Sequence, residues 1–579
     1  MASSHRVGFT RALPFAVCLF AVACRVDTAH KSQPPVLAFI QTKPAMERLV
    51  ELSASDNRVV ETTRELAKTH PKRLTGSKGY DAAAAWAVEK FRAYGLDARL
   101  ETWGEFPVRF DRGVQSGRIV SPTVKSLEFA TMAWTAGTDG PKRGRAVLEP
   151  RTQTEFEALD AETAFRGAWI VRTDAKSDAK LGRTLREAYA AAGVLGIVRA
   201  GSKNGRLTMG GNHHVDPNAL PKNVDIKLAF DAHADLVARL TQAEAIELEF
   251  DVDNRFENGP VACTNVVADI VGARFPDEFV IVQGHLDAWD GAEGAQDNAT
   301  GVATALEAAR LVKALGVRPE RTIRFVLYGG EEQGLLGSLG YVKAHKEELA
   351  KTSVVMTHDA GATFLAGIDA TYAMLADVQA VAAPLTNLDG RFPFQVHEVD
   401  GVENSGDSDH APFIKAGVPS FFWHQSEDGY EHVHHTQHDS FETIPVEELR
   451  HSARVVAVCA FGFANLDHLL DRTDSKPIER RRLGVQMDAD ATFARVTESG
   501  RASSAGWQNG DRIVAVDGVP VTTQKEVLAK LWSGGSVKVF RLARDGEIFE
   551  STLDYSDEPA EKERAARAER RAAFLAKQR

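Results

Sequence analysis

Carboxylates and histidines stand just beyond a series of apolar runs in the second half of the chain, and together they suit metal-assisted hydrolysis. His285 and Asp287 follow the run EFVIVQG, and Asp297 heads the helix-like stretch behind them. Glu331 and Glu332 follow RTIRFVLYGG, and Asp359 ends SVVMTHD. His434, His435 and Thr436 come after VPSFFWH and a polar loop, with Asp439 close behind. Each residue alone has an ordinary explanation. A histidine after a strand is commonly a hydrogen-bonded structural residue, a Glu pair at a helix start complements the macrodipole, and Asp297 can be an N-cap. Those readings do not explain why nearly every run delivers an acid or an imidazole at the same end.

A charge count points to two zinc ions, which bring four positive charges. Asp297, Glu332 and Asp359 supply three negative charges and a hydroxide the fourth, while His285 and His435 complete a set of N and O ligands. The centre is then near neutral, as a buried two-metal site requires. Asp287 lies two residues after His285, faces the same way in extended chain, and is placed to hold the other imidazole nitrogen. His432, His434 and His438 are further ligand types around His435, whereas His358 and His410 read as structural or supporting.

The elements that must position these groups are legible as a pattern. From about residue 260, continuous apolar runs alternate with helix-like stretches such as ATGVATALEAARLVKAL. Continuous runs suggest strands buried on both faces, and the alternation predicts an α/β domain with a mostly parallel sheet flanked by helices. Sites in such sheets lie beyond the C-terminal strand ends.

Several phrases resemble the co-catalytic zinc peptidases, a family that includes bacterial leucyl-type aminopeptidases and plasma glutamate carboxypeptidase. They are GHLDAWDGAEGAQDNATG, YGGEEQGLLGS, THDAGA, SGDSDHAPFIKAGVPSFFW and HHTQHDS, with CTNVVADIVG and PKRLTGSKG upstream. The resemblance covers roughly residues 46–470. It implies that Asp297 bridges two zinc ions, His285 and Asp359 complete one site, and Glu332 and His435 complete the other. It implies that Glu331 is general base and then general acid, and that Asp287 orients His285. Asn298 stands where many relatives carry a second acid. GEEQGLLGS is similar to the aminopeptidases, HLDAWD and HDAGA to the carboxypeptidase, so the end of the substrate that is read stays open.

The peptidase domain is expected over residues 46–103 and 255–470. Residues 104–250 alternate short β-like runs with a helix-like run and sit where many relatives carry an inserted protease-associated-type domain, expected here as β-rich. Residues 478–555 resemble a PDZ domain, with Leu483, Gly484 and Val485 in the carboxylate-binding loop and a peptide C-terminus as the implied partner. Residues 556–579 form a charged, Ala-rich tail that reads as a solvated helix or a disordered segment.

Residues 1–23 read as a signal peptide: Arg6 and Arg11 precede an apolar run that ends at the small-residue site Ala21-Val22-Ala23. Export follows from that reading, and Cys24 is placed for a lipid anchor. Cys263 and Cys459 are then the cysteines of the mature chain, expected as buried free thiols. A net charge of -11 argues against a nucleic-acid partner. The expected activity is hydrolysis of a peptide bond next to a free terminus of a dipeptide or short peptide. The rival readings are a non-catalytic receptor or scaffold on the same fold, and an acyl-transfer or cyclising enzyme on it.

Overall fold

The computed structural model describes residues 36–173, 179–386, 388–402, 407–426 and 429–578. The expected leader, its expected cleavage site and Cys24 lie outside the described residues.

A large mixed sheet organises the chain. Its first long strand, β1 (Asp97–Ser121), pairs antiparallel with β2 (Glu247–Ile270) along nearly the full length of both. β3 (Phe275–His285) follows, and then helix α1 (Thr300–Ala314), β4 (Arg321–Tyr328), β5 (Thr352–Thr357), β6 (Ser420–Phe422) and helix α2 (Val446–Ala464). The spatial order is β6-β5-β3-β4-β2, with β3, β4, β5 and β6 parallel and β2 antiparallel to β4. All eight residues of β4 are buried, its apolar ones as a strand covered on both faces predicts, and Arg321 and Arg324 through ion pairs with Glu278 and Asp269. α1 is buried from Thr300 to Val312, and α2 from Val455 to Ala464. Gly462 belongs to that packing, because a Cβ there would stand 2.8 Å from Val381 Cγ1.

Register places the parallel strand ends together. His285 is opposite Tyr328, the last residue of β4, while Gln283 is opposite Thr357, the last of β5, and Thr357 is opposite Phe422, the last of β6. Inside this end, the Gln283 amide donates to Thr357 Oγ1 at 2.8 Å and accepts from Tyr328 OH at 2.8 Å. The loops beyond it carry the candidate residues.

The segment between β1 and β2 is α/β in character as well as strand-rich. Strands Lys142–Leu148, Trp169–Val171, Gly196–Ala200 and Val224–Leu228 pair in parallel, with helices Ala179–Ala192 and Phe230–Thr241 among them. The sequence reading found the first of these helices and missed the second. Lys142–Leu148 pairs with β2, so this segment continues the same sheet, and the boundaries expected at 103/104 and 250/255 fall inside strands β1 and β2. A separate core forms around Trp169, Phe250 and Leu248, and an aromatic cluster of Phe106, Trp134 and Trp289 lies between the two bodies.

Residues 483–555 enclose their own core around Phe493, Trp507, Phe540 and Leu542. The charged tail is a helix, α3 (Pro559–Gln578), and it is docked rather than wholly solvated: Arg567 is 7% exposed. Cys263 and Cys459 are buried and free, as expected.

Candidate metal centre

Four loops bring the predicted residues to one point. His285 ends β3, and its Nδ1 lies 2.9 Å from the main-chain carbonyl of Asp287. The sequence reading expected the Asp287 side chain in this role. The hold is on the expected nitrogen, but the carboxylate Oδ1 stands 3.7 Å away and accepts instead from the Glu331 amide at 3.3 Å. Two residues of loop curl the chain so that carbonyl and carboxylate exchange the expected roles. With Nδ1 so engaged, His285 Nε2 faces Asp359 Oδ1 at 2.9 Å and Asp297 Oδ1 at 3.1 Å.

The other oxygen of Asp297 faces the second histidine. His435 Nε2 is 3.2 Å from Asp297 Oδ2 and 2.9 Å from Glu332 Oε2. His434 Nε2 lies 3.8 Å from the same Asp297 oxygen, and its side chain is 47% exposed. His435 adopts φ +54°, the left-handed region, which turns its ring inward from the loop after β6. Among the described residues, His285 with Asp297 and Asp359 forms one group able to hold a metal ion, and Asp297 with His434 and His435 another. Asp297 is common to both.

Supporting residues fix the bridge. Asp297 sits in an irregular turn, Ala295–Ala299, at the head of α1, with a cis peptide bond to Asn298. Asp439 grips this turn, accepting from Gln296 N at 2.7 Å and Asp297 N at 3.2 Å. Asn298 caps α1 from inside, donating to His358 O at 2.8 Å and accepting from Gly301 N at 2.9 Å. This is a structural use for the amide found where many relatives carry an acid. Arg73 is fully buried and spends its donors on the carbonyls of His70, Leu286, Glu293 and Gly294. It thereby ties PKRLTGSKG to the loop between His285 and Asp297. His358 bonds Thr304 Oγ1 and Gly361 O, the structural role expected of it.

Asp409, Asp439 and Arg73 carry no assigned role in the sequence reading. Their signal was present, since they lie inside SGDSDHAPF, HHTQHDS and PKRLTGSKG, but nothing local marks a carboxylate that serves a loop far along the chain.

The electrostatics favour bound positive charge at this point. Among the described residues, Glu332 Oε1, both Asp409 oxygens and Asp287 Oδ2 are buried without a hydrogen-bond partner, and Glu332 Oε2 meets only His435, an arrangement that costs several kcal/mol per ion unless charge compensates it. Burial and the neighbouring Asp297 charge push Glu332 up to about 7, and burial raises Asp409 to about 7. Burial, followed by the Asp359 and Glu332 charges, raises Glu331 well above the carboxylate range. Burial opposes protonation of His435, but Glu332 and Asp297 outweigh it and lift the imidazole to about 11. Acids and imidazoles here compete for protons, and divalent cations between them would replace those protons with fixed charge. The donor set, N and O only, fits zinc.

The chain matches the model of Peptidase family M28 over residues 265–460, from the last residues of β2 into α2. It is 27% identical to rat carboxypeptidase Q over 438 residues, covering 72% of this chain and 87% of that protein. It is 31% identical to aminopeptidase YwaD of Bacillus subtilis strain 168 over 210 residues, covering 33% of this chain and 44% of that protein. The crystal structure of a Peptidase M28 precursor from Shewanella amazonensis SB2B superposes with a TM-score of 0.54 at 25% identity, covering 75% of this chain and 99% of that one. The matched region contains four of the strands, every predicted metal-centre residue and the turn carrying Asp297, so the chain is similar to peptidase family M28 in the part that builds its site, and it is a metallopeptidase.

Proposed function

We propose that the chain is a dizinc exopeptidase that hydrolyses the peptide bond next to a free terminus of a dipeptide or short peptide. The observation that carries this reading is the shared Asp297 carboxylate, with one oxygen toward His285 and the other toward His435. Asp297 would hold both ions, His285 and Asp359 one of them, and Glu332 and His435 the other. Bound zinc supplies Lewis-acid polarisation of the scissile carbonyl and lowers the pKa of water.

The chain's own residues do the rest. Asp439 and Arg73 hold the turns that aim Asp297 and His285. Glu331 has its main chain anchored on Asp287 and its carboxyl among acidic neighbours that favour the protonated form. It takes a proton as water attacks and returns it to the departing amine, as a tuned acid–base does. The test is release of amino acids from a panel of free, N-acetylated and C-amidated dipeptides, with and without chelator. Chelator-sensitive release from free dipeptides is expected. The blocked forms then report which terminus is read. A folded, zinc-loaded protein that binds dipeptides without hydrolysing them would support a receptor instead, and formation of a cyclised or transferred product would support the acyl-transfer alternative.

For residues 478–555 we propose a PDZ-like unit that takes a peptide C-terminus by strand addition. Supporting this, Val485–Met487 pairs only with Phe493–Val496 among the described residues, which leaves its other edge open beside Leu483 and Gly484. Titration with peptides ending in a free carboxylate or an amide tests it, since only the former should bind.

A further inference from the structure

The metal centre has a wall that does not come from the matched region. The loop Gly205–Gly211, which belongs to the segment between β1 and β2, runs along the loop that presents His435. Met209 N donates to the His435 carbonyl at 2.7 Å, and Thr208 bridges Thr436. Leu207 N donates to Gln437 Oε1 at 2.8 Å, and Gln437 Nε2 donates back to Gly205 O at 3.0 Å. Lys227, on strand Val224–Leu228, donates to Thr208 Oγ1 at 2.9 Å and anchors the loop to its own body. The loop is therefore a fixed part of the site.

Its side chain at 209 reaches into the cleft. Met209, Trp289 and Ala292 line the space above Asp297, Glu332 and His435. Gly291 makes room for the Met209 thioether, since a Cβ at 291 would stand 2.5 Å from Met209 Sδ. Trp289 is 8% exposed and packs edge-on to His435, with ring centroids 6.2 Å apart. The cleft is open to solvent, and the space among these residues is about 180 Å³ with that open solvent included, which leaves little room beside the Met209 side chain.

We propose that Met209 is a specificity-determining residue, contributed by the inserted segment, that limits the substrate side chain on the Glu332–His435 side of the scissile bond to small groups. This rests on the exopeptidase reading above. Met209 contributes its backbone N–H to the loop contact and its side chain to the wall, so truncation of the side chain removes the wall and leaves the contact. The test uses full-length, zinc-loaded protein and two dipeptide series, Xaa-Ala and Ala-Xaa, with Xaa as Ala, Leu or Phe. Met209→Ala should raise kcat/KM for Phe relative to Ala at least ~10-fold in one series and leave the other unchanged, the scale of one or more methylenes in a hydrophobic pocket. Met209→Leu should restore the parental preference.

The same contrast is read without turnover by calorimetric titration of both proteins with alanine and phenylalanine, where Met209→Ala should tighten phenylalanine alone. An unchanged Phe-to-Ala ratio in both turnover and binding would overturn the proposal, as would a uniform loss across all substrates. A parental protein that hydrolyses no dipeptide would overturn the exopeptidase reading instead, and the titration would still decide the role of Met209.

Discussion

Glu331 and Glu332 are adjacent, yet the geometry gives them different work. Glu332 faces His435 at 2.9 Å with both its oxygens buried and otherwise unpartnered, the posture of a ligand. Glu331 makes no such histidine contact among the described residues, and its burial, followed by the charges of three neighbouring acids, opposes its ionisation. Glu331→Gln keeps the shape and removes the base. Zinc content should stay near that of the parent while kcat falls at least ~10²-fold, the lower end for general acid–base catalysis. Glu332→Gln should instead lower zinc occupancy in elemental analysis. Metal lost from the first variant and kept by the second would reverse the two roles. Asp297 is the stricter case. With one carboxylate shared between His285 and His435, the proposed two-zinc centre predicts that Asp297→Ala loses affinity for both ions, so residual zinc near one equivalent would show that the bridge is not shared.

At the scale of elements, the buried strands were legible because continuous apolar runs such as FVIV have one stable placement, inside a covered sheet. The ligand-bearing loops were legible because acids and imidazoles follow those runs. What the sequence hid is long-range. Nothing in DARLETWGEFPVRF announces a strand that pairs with Glu247–Ile270 across the whole inserted segment, since antiparallel partners so distant leave no local period. Nor does Met209 look like part of a site, because its neighbours Thr208 and Gly210 are no ligands. The long pairing also creates contacts that titrate. His345, after helix Leu336–Ala344, lies 2.8 Å from Glu101 on β1 and 2.9 Å from Glu348, with Arg99 and Arg324 also facing those acids. Burial lowers the pKa of this histidine, but hydrogen bonds to Glu101 and Glu348 prevail and raise it to about 9. The folded value exceeds the ordinary one near 6.5, so this stability is fully present below about pH 6.5 and is lost as pH rises through 9. Partial exposure screens the pair, leaving roughly 1 kcal/mol. His345→Gln should therefore melt below the parent at pH 6, with the gap closing by pH 10. A gap independent of pH would assign His345 to packing against Tyr341 alone.

At the scale of the whole molecule, the C-terminal helix decides how the last unit is carried. α3 has a buried anchor at each end of its path. Near its start, Glu561 pairs with Arg481, whose side chain is 1% exposed and which also donates to the carbonyls of Leu531, Ser533 and Gly534. Farther along, Arg567 donates to the carbonyls of Asp400, Asp474 and Lys476, Arg570 pairs with Asp474, and Phe574 meets the Tyr372 ring at 5.2 Å. The first anchor belongs to the 483–555 unit and the second to the peptidase body, so the helix is a strut between them. None of these contacts involves His285, Asp297, Glu331, Glu332, Asp359 or His435, so the strut should govern placement of the unit and leave chemistry alone. A chain ending at Ser556 should keep parental dipeptide turnover and zinc content. It should become sensitive to limited proteolysis between about residues 471 and 482, where the connection loses its Arg567 bonds, and show a larger radius of gyration in solution scattering. Arg567→Ala removes the buried part of the body-side anchor while Arg570 and Phe574 stay in place, and should give the same cleavage at a lower rate. Glu561→Gln leaves Arg481 buried beside a neutral partner, a change of the class that costs about 3–5 kcal/mol, and should lower the melting temperature of the C-terminal unit without exposing the connection. Unaltered proteolysis in both the truncation and Arg567→Ala would mean that the connection itself, and not the helix, holds the two bodies together.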